Sequence, residues 1–189
     1  MTKNDLRHIF KASRKTLSLH EIEKFNDLNL INFQKLQLPF INCAHSYVSS
    51  LRLAEPDTAK IISFLKFKNP FIKIVIPKID VDSGNMVHYH FKDDMEMMIN
   101  EFGIDEPQGG DIINEKEIEM VLVPLLAFDK RGYRVGYGKG YYDKFLARCD
   151  SNTIKIGLSF YGPVDEIKDI NAFDIPLDFC VTPEKLYAF

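Results

Sequence analysis

Apolar residues recur along this chain at two spacings, one helical and one strand-like, and together they predict an α/β layout. At the amino end Leu6, Ile9, Phe10 and Leu17 form a stripe at helical spacing. It starts behind Thr2, with Asp5 three residues on, the pattern of a capping box. Ser18 and Glu21 repeat that start ahead of Ile22, Phe25, Leu28, Phe33 and Leu36, and Pro39 stops the second helix. Tyr47–Leu53 reads as a strand. Glu55-Pro56-Asp57-Thr58 reads as a loop that feeds a third helix, with Pro56 suited to its first turn and Ile61, Ile62 and Leu65 turned inward. Phe71–Ile76 predicts a short strand ended by Pro77, and Met86–Phe91 alternates as a half-buried strand does. A short helix is expected around Asp94–Asn100, followed by a Gly/Pro loop over Phe102–Gly110.

One run shows no polar alternation. Met120–Val123 is continuously apolar, as strands covered on both faces of a parallel sheet are, and Ile154–Phe160 reads as one more buried strand. Between them, Leu125–Asp143 is a glycine-rich loop that enters a helix near Tyr141–Cys149. The tail, Asp174–Phe189, holds short β-like pieces around Pro176 and Pro183. Strands alternating with helices predict one α/β domain over residues 1–189 with a mostly parallel central sheet. No repeat, low-complexity tract or Ser/Gly linker divides it.

Composition narrows the class. With 189 residues, 46% of them hydrophobic, the chain can build a full core and is neither disordered nor a disulfide-stapled mini-protein. The longest apolar run, Met120–Phe128, contains Pro124 and falls far short of the ~20 residues a membrane helix needs. Asp5 and His8 interrupt Met1–Phe10, so no signal segment is read there. Cys43, Cys149 and Cys180 are widely spaced, odd in number and without a CxxC pair, which suits buried thiols in a reducing compartment and excludes a zinc site. His88 and His90 alternate on one strand and read as a half-exposed face rather than a metal pair. A cytoplasmic protein, monomeric and without a membrane partner, is expected.

Net charge matters once it is resolved along the chain. The total is −3, yet Asp129–Arg148 holds six cations against two anions and is +4, leaving −7 on the remainder. Asp93–Glu119 holds ten acids against the single Lys116 and reads as a solvated face. The basic segment with its interleaved tyrosines could belong to a non-catalytic nucleotide or RNA-binding module. The −7 elsewhere repels long polyanions, so no nucleic-acid partner is expected.

The same basic segment also carries glycines at alternate positions: Arg134-Val-Gly136-Tyr-Gly138-Lys139-Gly140-Tyr141-Tyr142-Asp143. Glycines let backbone approach an anion closely and adopt positive φ. A following helix start offers unpaired N–H groups, and Arg134 and Lys139 add full charges. Asp143, on the first helical turn, could hold a phosphate-bound Mg²⁺. The spacing is GxGxG, which is neither a Walker A loop nor a Rossmann GxGxxG. The expectation is a polyphosphate cradle.

The string Phe128-Asp129 through Asp143 resembles the signature of the 5-formyltetrahydrofolate cyclo-ligase (methenyltetrahydrofolate synthetase) family. Three further elements resemble that family in order: Lys3-Asn-Asp-Leu6-Arg7, Glu55-Pro56-Asp57-Thr58, and Phe102-Gly-Ile-Asp-Glu106-Pro107. The resemblance implies a three-layer α/β/α fold of the NagB/RpiA/CoA transferase-like kind. It also implies an ATP-dependent ring closure of 5-formyltetrahydrofolate to 5,10-methenyltetrahydrofolate, with ADP and phosphate released. In that chemistry the γ-phosphoryl group goes to the formyl oxygen, the second folate nitrogen attacks the activated carbon, and phosphate departs. Such a step needs in-line placement and charge neutralisation more than a protein nucleophile.

Residue by residue, the resemblance implies that Lys3, Asn4, Asp5, Leu6 and Arg7 contact ATP from the first helix. Arg134, Val135, Gly136, Tyr137, Gly138, Lys139, Gly140, Tyr141 and Tyr142 would wrap the triphosphate, with Arg134, Lys139 and Tyr141 nearest the chemistry. Ser50, Leu51 and Glu55 would meet the folate together with Tyr137, Gly138, Lys139, Gly140 and Tyr141, Glu55 pairing with the pterin's donor edge. Asp143 and Asp174 would hold Mg²⁺. Asn171 and Phe173 stand where relatives often carry Glu and His, Lys78 where Arg is common, and Leu125 where Gly is common.

Overall fold

A computed structural model describes residues 1–100 and 103–189. Helix α1 (Lys3–Lys15) and helix α2 (Leu19–Phe33) both begin with the reciprocal caps that the sequence announces, Thr2 with Asp5 and Ser18 with Glu21. Strand β1 (Cys43–His45) is followed by a 3₁₀ turn at Leu51–Leu53, helix α3 (Ala59–Lys68), β2 (Lys73–Asp80) and β3 (Asn85–His90). Then come β4 (Met97–Ile99), β5 (Asp105–Pro107), β6 (Met120–Pro124), β7 (Ala127–Phe128) and β8 (Arg134–Val135). Helix α4 (Tyr141–Leu146), β9 (Ile154–Leu158), β10 (Phe179–Val181) and β11 (Leu186–Ala188) complete the order.

Seven strands form one sheet in the order β11-β10-β9-β6-β1-β2-β3. The five inner strands are parallel, and only β3 and β11 at the edges run antiparallel to their neighbours. Strand β6 shows why its sequence lacks alternation. Met120 and Leu122 pack with Phe33, Ile61 and Leu65 of α2 and α3 on one face, and Val121 and Val123 pack with Phe145 and Leu146 of α4 on the other. That is a three-layer α/β/α arrangement, although α4 is only six residues long and loop segments around Phe128 and Leu177 share its layer.

Chain direction reverses at the centre of the sheet. From β1 the chain crosses over α3 to β2 on one side, whereas β6, the other neighbour of β1, leads through α4 to β9 on the opposite side. The loops leaving the carboxyl ends of β1 and β6 therefore diverge, and it is in the crevice expected at such a reversal that open α/β sheets bind ligands.

Several local expectations are corrected. Tyr47–Leu53 is not a strand; β1 lies earlier, at Cys43–His45. Beyond it the Tyr47 hydroxyl donates to the Pro56 carbonyl at 2.8 Å, and the Thr58 hydroxyl donates to the Tyr47 carbonyl at 2.9 Å, so the segment folds back on itself. Asp94–Asn100 is not helical, because Met97–Ile99 pairs with Asp105–Pro107 as a hairpin, and the Glu106 carboxylate accepts the Ile79 N–H of β2 at 3.0 Å. Strand β2 also runs through Pro77. Val75 and Ile79 turn their polar backbone groups away from β3, so Pro77 between them lacks its N–H on that same side, past the last β1 partner, His45. Helix α2 stops at Phe33, before Leu36, and α4 stops at Leu146, before Cys149. His88 is 2% exposed rather than half-exposed, packed against Phe145 and His45. All three cysteines are free and buried. Phe102, the first residue of the mid-chain motif, lies outside the described residues.

Candidate functional site

The glycine-rich segment leaves β6 as a hairpin of β7 with β8, and a buried aspartate shapes its turn. Asp129 Oδ1 accepts the N–H groups of Arg131 (3.0 Å) and Tyr133 (3.1 Å), while Oδ2 accepts Arg131 Nη2 (2.9 Å) and the Ile167 N–H (3.2 Å). Beyond β8 the turn is open. Gly138 and Gly140 have φ of +104° and +73°, and Gly140 caps α4 without any side-chain hydrogen bond to its first N–H groups. Those amides are therefore left for something else.

Helix α1 lies along this turn. Leu6 is fully buried with Ala127, Val135 and Ile167, which fixes the helix on the β7–β8 hairpin. The docking brings Arg7 to the glycines: its Nε donates to the Gly136 carbonyl at 2.9 Å, and its guanidinium lies 3.3 Å from where a Cβ on Gly138 would sit. Gly138→Ala should cost about 1–3 kcal/mol, since it forces a side chain into positive φ and presses on Arg7. Urea denaturation reads this directly; an unchanged midpoint would mean the turn is not held in that conformation.

Two carboxylates and two cations meet beside the turn. Asp143 Oδ1 accepts Arg134 Nη2 at 2.9 Å and the Ile175 N–H at 3.2 Å. Lys3 Nζ contacts both Asp174 oxygens, at 2.5 and 2.6 Å, and the Lys3 N–H donates to Asp169 at 2.7 Å. Arg134 also feels Asp174, and burial pulls its pKa down against both carboxylates. Its other guanidinium nitrogen, Nη1, donates to the Ile175 carbonyl, so Arg134 braces the turn from beneath. Lys139 is exposed at the tip and makes no ion pair or hydrogen bond among the described residues.

On the far side of the crevice, Glu55 is buried at the end of the loop after β1. Its Oε1 accepts the Tyr137 hydroxyl at 2.6 Å and its Oε2 accepts the Ser50 N–H at 2.9 Å. Burial raises the Glu55 pKa, with the Tyr137 hydroxyl, the Ser50 N–H and the Arg14 charge pulling it back. Tyr137 is itself pushed up, first by burial and then by the Glu55 charge. The Tyr142 hydroxyl is buried with no hydrogen-bond partner among the described residues.

The structure thus brings together Lys3, Arg7, Ser50, Glu55, Arg134, Gly136, Tyr137, Gly138, Asp143 and Asp174 of the residues singled out by sequence. Others stand apart. Asn4 and Asp5 are exposed, and the Asp5 carboxylate is taken up by the cap of α1. Leu6 and Val135 are core residues, and Leu51 projects outward on the 3₁₀ turn. Tyr141 packs partly buried against the core cluster that holds Phe145 and Leu146. Two residues that the sequence reading passed over matter here: Asp129, and Arg14, which is buried on α1 and bonded to the Tyr137 hydroxyl at 3.1 Å. Arg14 has a legible signal, since it continues the apolar stripe of Leu6 and Phe10, where a cation needs a partner. The basic segment is largely neutralised internally. Lys130 pairs with Asp165, Arg131 with Asp129 and Glu166, Arg134 with Asp143 and Arg148 with Glu115.

Comparison with known proteins decides the family. The model of the 5-formyltetrahydrofolate cyclo-ligase family matches residues 2–183. The chain belongs to that family. Within the cyclo-ligase family it is 30% identical to the 5-formyltetrahydrofolate cyclo-ligase of Mycoplasma pneumoniae, over 97% of this chain and 100% of that one. It is 29% identical to a Schizosaccharomyces pombe protein named "Probable 5-formyltetrahydrofolate cyclo-ligase", over 98% and 97% of the two chains. Among solved structures, the NMR structure of Aquifex aeolicus 5,10-methenyltetrahydrofolate synthetase superposes with a TM-score of 0.81 at 28% identity. That match covers 100% of this chain and 93% of the other. The cyclo-ligase sheet and its layers are thus shared with relatives of the same length.

Proposed function

We propose that this chain closes 5-formyltetrahydrofolate to 5,10-methenyltetrahydrofolate with ATP, releasing ADP and phosphate, at the crevice between the β1 and β6 loops. Family membership carries the activity. The observation that carries the location is the 2.6 Å contact of Tyr137 with Glu55, which joins the glycine turn to the loop after β1. A nucleotide held on the turn and a folate held by Glu55 would then be neighbours.

On this reading Gly138, Lys139 and Gly140 offer backbone N–H groups and one exposed cation to the triphosphate, while Arg7 and Lys3 approach from α1. Arg134 acts from beneath, keeping the turn and Asp143 in place. Ser50 and Leu51 flank the folate side, and Tyr141 and Tyr142 close the turn. The chemistry asks the protein to hold the γ-phosphoryl group in line with the formyl oxygen and to exclude water; no side chain has to form a bond.

Mg²⁺ fits the donor set. Asp143 and Asp174 are hard-oxygen carboxylates that both act on Arg134 beside the turn, and Mg²⁺ is usually held by one or two such groups plus substrate phosphates. Each carboxylate is partly engaged, Asp143 by Arg134 and Asp174 by Lys3, so a metal would share them with these cations. When bound, Mg²⁺ neutralises phosphate charge as the phosphoryl group moves. Three buried free thiols support a reducing compartment, in keeping with action in the cytoplasm, and one chain supplies every residue of the proposed site, in keeping with a monomer.

Purified protein with MgATP and 5-formyltetrahydrofolate should generate the near-ultraviolet absorbance of the methenyl product, with one phosphate per turnover. A flat trace beside an active control enzyme would sink the assignment.

A further inference from the structure

Arg14 is 3% exposed, and the direction of its hydrogen bonds is unambiguous because a guanidinium only donates. Nη2 donates to the carbonyl of Leu125, where the chain leaves β6, and Nη1 donates to the Tyr137 hydroxyl at 3.1 Å. The Tyr137 oxygen thus has an acceptor site filled by Arg14, and its own proton goes to Glu55 at 2.6 Å. The result is a one-way chain, Arg14 to Tyr137 to Glu55, in which each bond polarises the next.

Glu55 needs such support. An enclosed carboxylate without a counter-charge takes a proton instead of staying ionised. The groups facing it are Arg14 from α1, Tyr137 from the glycine turn, Tyr142 from α4, Tyr47 from the segment after β1, and the Ser50 N–H of its own loop. Arg14 supplies the positive charge in that set.

We propose that Arg14 is a positioning residue for the folate side of the site, acting through Tyr137 to keep Glu55 an oriented carboxylate. This rests on the reading above that Glu55 meets the donor edge of the pterin. A protonated Glu55 would present a hydroxyl to that edge and lose an acceptor. The cation therefore bears on the folate without touching it, and its removal should weaken folate binding selectively while leaving the nucleotide side intact.

The test follows the Glu55 carboxyl by ¹³C NMR against pH in wild type, Arg14→Gln, Arg14→Lys and Tyr137→Phe, with steady-state kinetics alongside. Arg14→Gln should move the Glu55 titration upward by about one pH unit or more, in the range a lost opposite charge produces. It should also raise KM for 5-formyltetrahydrofolate about tenfold, the equivalent of one pKa unit of interaction, with KM for ATP nearly unchanged. Arg14→Lys should keep the titration near that of wild type. Tyr137→Phe should shift it upward too, with little added by Arg14→Gln in the same chain. A Glu55 titration unchanged in Arg14→Gln, or equal losses in both KM values, overturns the proposal. Should Arg14→Gln fail to fold, an unmoved titration in Tyr137→Phe overturns it instead. A wild type that makes no methenyl product fells the folate reading. An active wild type whose Glu55 ignores Arg14 fells this inference alone.

Discussion

Asp143→Asn should cut methenyl formation by about 10²–10³-fold, the loss seen when one fixed electrostatic group is removed from a preorganised site. Asp143 stands on the first turn of α4, where Oδ1 already accepts Arg134 and the Ile175 N–H. Asparagine keeps the shape and an acceptor but removes the charge, so the turn stays in place while its affinity for metal-bound phosphate falls. Arg134 would lose a charged partner in a buried setting, at a cost of about 1–3 kcal/mol. Asp174, which also acts on Arg134, makes the lower end of that range the expected one. The variant should therefore remain folded, melt a few degrees earlier and demand more Mg²⁺ for what activity is left. Stopped assays at several Mg²⁺ concentrations, together with a thermal melt, check both halves. Turnover at the wild-type rate would remove Asp143 from the metal role.

Acid should unfold this protein earlier than a typical domain of its size, and the cause lies in β1 and β3. His45 is fully buried and His88 nearly so, their rings 5.1 Å apart, and among the described residues none of their four nitrogens has a hydrogen-bond partner. Burial pushes His45 well below its usual range, with the His88 charge adding to the effect, and pushes His88 down to about 4 despite Glu115. Unfolding releases both imidazoles to titrate near pH 6.5. Below that pH the unfolded chain binds more protons than the folded one, so stability is whole above pH 6.5 and drains away as pH falls. His88 alone withdraws about 3 kcal/mol between pH 6.5 and its folded pKa, at 1.36 kcal/mol per unit. His45 adds in the same direction. Glu55 runs the other way, because its raised pKa makes the fold bind a proton more readily than the unfolded chain. Urea melts at pH 7 and pH 5 should show a large loss for wild type and a much smaller one for His45→Phe/His88→Phe. Those replacements also remove orphaned nitrogens from a setting already lined by Phe145. Parallel losses in both proteins would place the acid sensitivity elsewhere.

What could be read in advance follows a pattern. The cap pairs Thr2/Asp5 and Ser18/Glu21, the doubly covered strand β6, and the open glycine turn are all written in residues a few positions apart. The positive φ at Gly138 and Gly140 was legible for the same reason. The family's motifs named the residues of the glycine turn with equal economy, because they are contiguous. The helix expected at Asp94–Asn100 failed because Met97–Ile99 finds a partner eight residues on. Arg134, expected to face the phosphates, instead spends its guanidinium on Asp143 and the Ile175 carbonyl.

By itself, then, the sequence determined the layered α/β class, the helix starts, the twofold burial of the central strand β6 and the residues of the glycine turn. Each is set by local backbone sterics and hydrophobic period, which act over neighbouring positions. Only the tertiary structure decided that the loops after β1 and β6 part at a reversal of strand order and that α1 lies across the turn. It also decided that Arg14, Tyr137 and Glu55, up to 123 positions apart, form one hydrogen-bonded chain. Those arrangements depend on which apolar faces bury against each other, a property of the whole packed chain that no short window of residues contains.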